Sequence, residues 1–160
     1  MQEHVALDGF DLHLLTLLQG DGRLAVQELA DRVGLSASQC SRRRARLEAQ
    51  GVIAGYAARL DPQRLGLDVV AFVQVTLARH SPDNAQHFRG LVERTAAIQQ
   101  AYAVTGDADY LLRVAVRDLR GLAALINDVL LPHGSVAHVR SMVGLERLKD
   151  TTALPLRDGA

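Results

Sequence analysis

The chain has 160 residues, 48% of them apolar, which is enough for one ordinary domain or two small ones and argues against disorder. Eighteen basic residues balance 18 acidic ones, so a global pull on nucleic acid is excluded and any such function rests on local clustering. No apolar run nears the roughly 20 residues that span a bilayer, the opening MQEHVALDGFDLHLL lacks the basic start and apolar stretch of a secretion signal, and Cys40 stands alone, leaving no intrachain disulfide or cysteine-rich metal site.

The expectation is a cytoplasmic protein. In chain order, residues 7–50 carry helical apolar spacing. Leu7, Phe10, Leu14, Leu17 and Leu18 line one side of a first helix, with Asp8 as N-cap and Asp11 three residues on. The stretch QGDGR breaks it. A second helix, VQELADRVG, carries Val26, Leu29, Ala30 and Val33 on one side, and Gly34 fits its left-handed C-terminal cap. Ser36 caps a third helix, and Ser36 with Gln39 has the S-x-x-Q form of a capping box. Two short helices joined by a turn of about three residues have the spacing of a helix-turn-helix, whose second helix enters the major groove. VIAGYAARL then reads as a small wing or linker strand, and LDPQRLGLD as a domain boundary.

After Asp68 the period changes. VVAFVQVTL alternates, with Ala71, Val73, Val75 and Leu77 on one face. DNAQHFRGLVERT is helical, with Ala85, Phe88, Leu91 and Val92 as its buried stripe and Ser81-Pro82 as its start. IQQAYAVTG and DYLLRVAV are strands joined by GDAD. LRGLAALINDVLL is a helix that Pro132 stops, and SVAHVRSMVGLERLK is a last strand. The order β-α-β-β-α-β is the split βαβ of ferredoxin-like folds. Such a fold covers one sheet face with helices; a second copy of the same sheet is the simplest cover for the other. The expected division is residues 1–60, a linker over 61–67, and residues 68–160.

Between Ser38 and Arg59 lie five arginines and one acid, Glu48. With Leu47 inward and about 100° per residue, Arg44, Cys40 and Ala37 share its side. Ser38, Arg42, Ala45 and Ala49 face outward, Gln39, Arg43 and Arg46 lie on one flank, and Ser41 on the other. Ser38, Gln39, Ser41 and Arg42 are the expected base readers, with Arg42 able to fork onto guanine. Arg43 and Arg46 are the expected phosphate contacts. Arg44 sits where a core prefers an apolar side chain, so its methylenes should pack and its head reach outward, to Glu28 or Asp31. A solvated helix face is the plainer reading of the cluster.

The segment LDGFDLHLLTLLQGDGR...ELADRVGLSASQCSRRRARLEAQGVIAGYAARLDPQRLG resembles the amino-terminal module of the leucine-responsive regulatory protein/AsnC (Lrp/AsnC) family of transcription regulators. VTGDADYLLRVAV and LERLKDTTALPL resemble its regulation-of-amino-acid-metabolism (RAM) domain. The resemblance runs from Leu7 to Leu156 and implies an α+β chain. A winged helix-turn-helix (Ser36 included in its DNA-binding helix) is joined by a linker strand to a ferredoxin-like effector domain. It implies binding to double-stranded DNA, homodimers that assemble into octamers, and control by a small effector, usually an amino acid, with no cofactor or metal. It places the effector between subunits, at Gly106, Asp107, Ala108, Asp109 and Tyr110, completed by Leu119 and by Ser141, Met142, Val143 and Gly144. Glycine permits a tight turn at Gly106, Asp107 and Asp109 can accept from an α-ammonium group, and backbone N–H groups can take a carboxylate. By itself GDAD is an ordinary hairpin turn.

Three departures from the family pattern stand out. Arg44 replaces Ile or Val, Ala25 replaces a capping Ser, and Ala108 replaces an aromatic residue. The last reshapes the pocket, so leucine is not carried over and a different amino acid is expected. Catalysis is not expected: P-loop, G-x-S-x-G and H-E-x-x-H patterns are missing, and the histidines are scattered. The enzymatic alternative is a tetrapyrrole (sirohaem) decarboxylase-like relative with the same two-domain build, against which the arginine-rich third helix argues.

Overall fold

The structure is a computed structural model that describes residues 5–79 and 81–156. These fall into two compact units. One takes in the described residues up to Arg59 together with those from Lys149 on; the other spans Leu60–Leu148.

In the first unit, helices α1 (Gly9–Gly20), α2 (Val26–Val33) and α3 (Ala37–Ala49) form a helix-turn-helix with a preceding support helix. Local chemistry sets each boundary. Asp8 accepts from the Asp11 backbone N–H while the Asp11 side chain accepts from the Asp8 N–H, a reciprocal capping box. Ser36 and Gln39 make the same device at α3. Ala25 starts α2 with no side-chain cap. Gly34 ends it at φ 80°, a left-handed turn that favours glycine.

The core of this unit is Leu14, Leu15, Leu18, Leu29, Ala30, Val33, Cys40 and Leu47. Each fully buried leucine contributes roughly 1.5–3 kcal/mol. Because α1 packs against both other helices, its buried surface is wider than a single stripe: Leu15 is buried, Phe10 is exposed, and Asp11 is buried.

Two expectations fail in this unit. The anticipated wing is not a strand: among the described residues 54–60 the chain is exposed and has no strand neighbour. Strand-forming residues give extended backbone, but a ladder needs a second strand. The carboxy-terminal segment from Lys149 on packs with this helical unit rather than with the sheet. The Gln19 side-chain amide donates to the Leu154 carbonyl at 3.2 Å and accepts from the Leu154 N–H, and Leu156 packs onto the helical core. Arg59 pairs with Asp150 at 3.3 Å.

The second unit has the expected order: β1 (Val69–Leu77), α4 (Pro82–Arg94), β2 (Ile98–Ala103), β3 (Tyr110–Val116), α5 (Leu119–Ala124) and β4 (Val136–Val143). The sheet runs β2-β3-β1-β4, antiparallel at every pairing, which is the ferredoxin-like arrangement. Ala71, Val73, Val75 and Leu77 point as a set into the core, where they meet Phe88 of α4 and Leu122 and Leu125 at α5.

Beyond α5 the helix widens into π-helical turns over Leu125–Leu130, with the Leu131 N–H donating to the Ile126 carbonyl, and stops before Pro132. The last strand is shorter than expected. β1 begins at Val69, so β4 loses its partner after Val143 pairs with Ala71 and the Gly144 N–H reaches the Val70 carbonyl. The opposite sheet face exposes Phe72, Tyr102 and Met142.

Removing the chain from Thr151 onward should lower the stability of the helical unit by on the order of 1–2 kcal/mol, through the lost Leu156 burial. Urea unfolding followed by helical circular dichroism checks it; an unchanged midpoint contradicts the packing described.

Candidate nucleic-acid interface and effector site

The three consecutive arginines of α3 have three different surroundings. Arg42 is exposed, with no hydrogen-bond or ion-pair partner among the described residues. Ser38 and Ser41, two other expected base readers, are exposed beside it, whereas the exposed Gln39 already has its Oε1 accepting from the Ser36 N–H and hydroxyl at the N-cap. The outward side of α3 is therefore bare, as a groove-entering helix requires.

Arg43 is turned back towards α1. Its Nη1 donates to Asp8 Oδ2 at 2.7 Å and Asp8 Oδ1 at 2.9 Å, and to Asp11 Oδ1 at 2.8 Å. Its guanidinium lies 5.4 Å from the Phe10 ring centroid. Arg46, one turn on, donates to the other oxygen of Asp11. Asp11 is 1% exposed, so a carboxylate that would be costly if unpaired is matched by two guanidiniums and the Asp8 N–H. The two arginines expected on phosphates thus already hold carboxylates. The sequence signal was present: two arginines three apart on one flank of α3, and two aspartates three apart at the start of α1.

Arg44 does pack its stem and send its head outward, but not to Glu28 or Asp31. Glu28 is taken by Arg32, and Asp31 by Gln27. Arg44 Nε donates to Glu48 Oε1 at 3.0 Å, its guanidinium stands 4.9 Å over the Tyr56 ring, and the Tyr56 hydroxyl donates to the same Glu48 oxygen at 2.7 Å. An (i, i+4) partner on its own helix and an aromatic platform from the following segment are nearer than α2. Tyr56 also closes on the turn at Gly22, where a Cβ would meet its ring at 3.1 Å.

Electrostatics follow these contacts. The Asp11 backbone N–H, then the Arg43 guanidinium, hold the Asp8 carboxyl below its ordinary value. The Tyr56 hydroxyl, then Arg44, do the same for Glu48. Burial pushes the Cys40 thiol up, in keeping with a core cysteine rather than a nucleophile. Both carboxyls sit lower when folded than when unfolded. Their pairings therefore stabilise the unit above the ordinary carboxylate range and fade as pH falls through the folded values.

Beside Arg42, a depression of ≈ 270 Å³ is lined by Leu35, Gln39, Arg42, Arg43 and Arg46. Three guanidiniums line it.

In the second unit the β2–β3 turn has Gly106 at φ 113°, a left-handed conformation that disfavours side chains. A Cβ there would meet nothing within 4 Å, so the space above the turn is open. Asp107 is exposed. Asp109 is not available in the way expected. Its Oδ2 accepts from the Leu77 N–H at 2.7 Å and its own N–H donates to the Val75 carbonyl at 3.0 Å, which anchors the turn to β1. Tyr110 packs on Phe88, ring centroids 4.7 Å apart, below a groove of ≈ 280 Å³ between α4 and β2.

The remaining expected effector residues lie elsewhere in the sheet. Tyr110 stands opposite Val75, whereas Ser141 stands opposite Val73 and Val143 opposite Ala71. Leu119 follows the far end of β3, where Val116 pairs with Val69. At about 3.3 Å per residue Tyr110 is separated from Ser141 by about 7 Å and from Val143 by about 13 Å along the strands, plus two strand spacings across. One chain does not bring them together.

A helix-turn-helix with a bare third helix, joined to a ferredoxin-like sheet domain, defines a DNA-binding regulator with a separate sensory domain. The chain belongs to the Lrp/AsnC family of transcription regulators. Residues 7–48 match the AsnC-type helix-turn-helix domain, and residues 70–154 the Lrp/AsnC ligand binding domain. The leucine-responsive regulatory protein of Salmonella typhimurium is 39% identical over 151 residues, 94% of this chain and 92% of that one. Among solved structures, a Neisseria meningitidis transcriptional regulator in complex with L-Met superposes with a TM-score of 0.91 at 37% identity, covering 94% of this chain and 97% of that one. An AsnC family regulator from Agrobacterium tumefaciens gives 0.88 at 36% identity, over 93% and 97% of the two chains.

Asp11→Asn should cost on the order of 2–3 kcal/mol, because it leaves two guanidiniums facing an amide. Tyr56→Phe, which keeps the ring under Arg44, should cost about 1 kcal/mol or less. Urea titration of both variants checks the order; equal costs would contradict the special place given to Asp11.

Proposed function

We propose that this chain regulates transcription by presenting paired copies of α3 to double-stranded DNA, with Ser38, Gln39, Ser41 and Arg42 at base edges. We infer further that an amino acid held between chains controls it. The observation that carries the DNA reading is the division of labour on α3. The inward side is core, the flanking arginines are tied to α1, and the outward row including Arg42 is unoccupied. The family match and the L-Met complex of the Neisseria relative support an amino-acid effector. Two sets of effector residues on strands that do not neighbour each other, β3 and β4, support a site shared between chains. A ligand touching both sets needs one from each. The exposed Phe72, Tyr102 and Met142 support a second sheet as the cover for the open face. Such a homodimer, assembling further into octamers in the cytoplasm, acts without catalysis, cofactor or metal.

Within the turn, Asp107 takes the α-ammonium group, because Asp109 is engaged with Leu77. The open space above Gly106 and the small Ala108 admit an effector other than leucine.

Arg42→Ala should lose about 1–3 kcal/mol of discrimination between a selected duplex and its single-base variants, read by gel shift; unchanged discrimination removes Arg42 from the reading set. Calorimetry against the twenty amino acids should find at least one that binds, with Asp107→Ala weakening it roughly tenfold or more. Silence from all of them contradicts the amino-acid reading.

A further inference from the structure

We propose that Asp8 is an internal substitute for a DNA phosphate. It occupies Arg43 in the unbound protein, withholds that charge from the duplex, and so favours base readout over indiscriminate backbone attraction. The inference rests on DNA binding through α3, and binding of the wild-type protein to a selected duplex is its separate check.

Three observations converge on Asp8. First, the depression beside the reading side of α3 is lined by three guanidiniums, those of Arg42, Arg43 and Arg46, which is phosphate-binding chemistry. Second, two carboxylates already neutralise two of the three: Asp11 bridges Arg43 and Arg46, and Asp8 grips Arg43 with both oxygens. Among the described residues, Arg42 is the member of the three left without a carboxylate partner. Third, the two carboxylates differ in reach. The Asp11 side chain is 1% exposed and fixed by the fold, whereas that of Asp8 is 51% exposed and open to exchange with solvent. A phosphate cannot replace Asp11, but it competes with Asp8 for the same face of Arg43.

The consequence is a matter of counted charge. With Asp8 ionised, the quartet of Asp8, Asp11, Arg43 and Arg46 is neutral. With its charge removed, the quartet carries one net positive charge beside Arg42. Each phosphate neutralised adds about 0.9 to the slope of log affinity against log salt, independently of sequence. Asp8 therefore lowers affinity for all sequences alike and leaves a larger share of binding to the base-reading row.

Asp8→Asn tests this cleanly, because asparagine caps a helix as well as aspartate and keeps an acceptor for the Asp11 N–H. The probes are a roughly 30-bp duplex selected from a random library by the wild-type protein, and a scrambled version of it. Affinities are measured between 50 and 200 mM salt. The expected result is tighter binding of D8N to both duplexes and a slope steeper by about one ion, so that its advantage over wild type shrinks about three-fold across that salt range. The ratio of selected to scrambled affinity should fall. In an Arg43→Gln background the slope increment should vanish, because no freed guanidinium is left to neutralise a phosphate, and R43Q alone should leave the wild-type slope nearly unchanged. A D8N slope increment that survives in R43Q, an unchanged D8N slope, or an R43Q slope already flatter by one ion would each overturn the proposal. The R43Q slope stands as a test even if D8N unfolds.

Discussion

The helical unit depends on one buried carboxylate. Asp11 sits almost wholly out of water, where an unpaired charge would be costly, and the fold satisfies it with two arginines from α3. That requirement does more than hold two helices together. It fixes the rotation of α3 about its own axis, because both Arg43 and Arg46 must point at α1. With that flank committed and Leu47 and Cys40 in the core, the outward row has one orientation left. The reading surface follows from what the other sides of the helix are obliged to do.

The same economy governs Arg44. A cation at a core-facing position is tolerated because Glu48 and the Tyr56 ring supply charge and a π-face within reach. The arrangement also ties the segment after α3 to the recognition helix, through a hydroxyl and a ring rather than through a strand ladder. The tail repeats the pattern at the other end of the chain, where backbone groups of Leu154 find Gln19 instead of a neighbouring strand. In the sheet domain, the hairpin turn is anchored to β1 through Asp109, while β4 ends at Val143 on the other side of β1.

Much of this was legible in the residues. Capping residues, a glycine C-cap and two clean periods located α1 to α5, and alternation placed Ala71, Val73, Val75 and Leu77 on the buried face. What escaped depended on partners distant in sequence. Helical geometry placed Arg43 and Arg46 on one flank, but not the aspartates 32 to 35 residues earlier that claim them. Asp11 read as a capping residue, which it is, while its burial came from the third helix. Arg44 was assigned to α2 because that helix precedes it, and the Tyr56 side chain offered no periodic signal. The end of β4 was overextended because strand length is set by the partner, and β1 begins only at Val69. The tail was assigned to the nearer domain because nothing in its composition marks a return to α1.

The most direct test of how α3 is held and presented is nuclear magnetic resonance of the arginine guanidinium groups, with and without a bound duplex. The account predicts that Arg43 and Arg46 give slowly exchanging, ion-paired signals before any DNA is added and move little afterwards, while Arg42 exchanges freely alone and shifts on binding. Rapid exchange at Arg43 and Arg46 in the free protein, or a duplex-induced shift at those two with Arg42 unmoved, would contradict it.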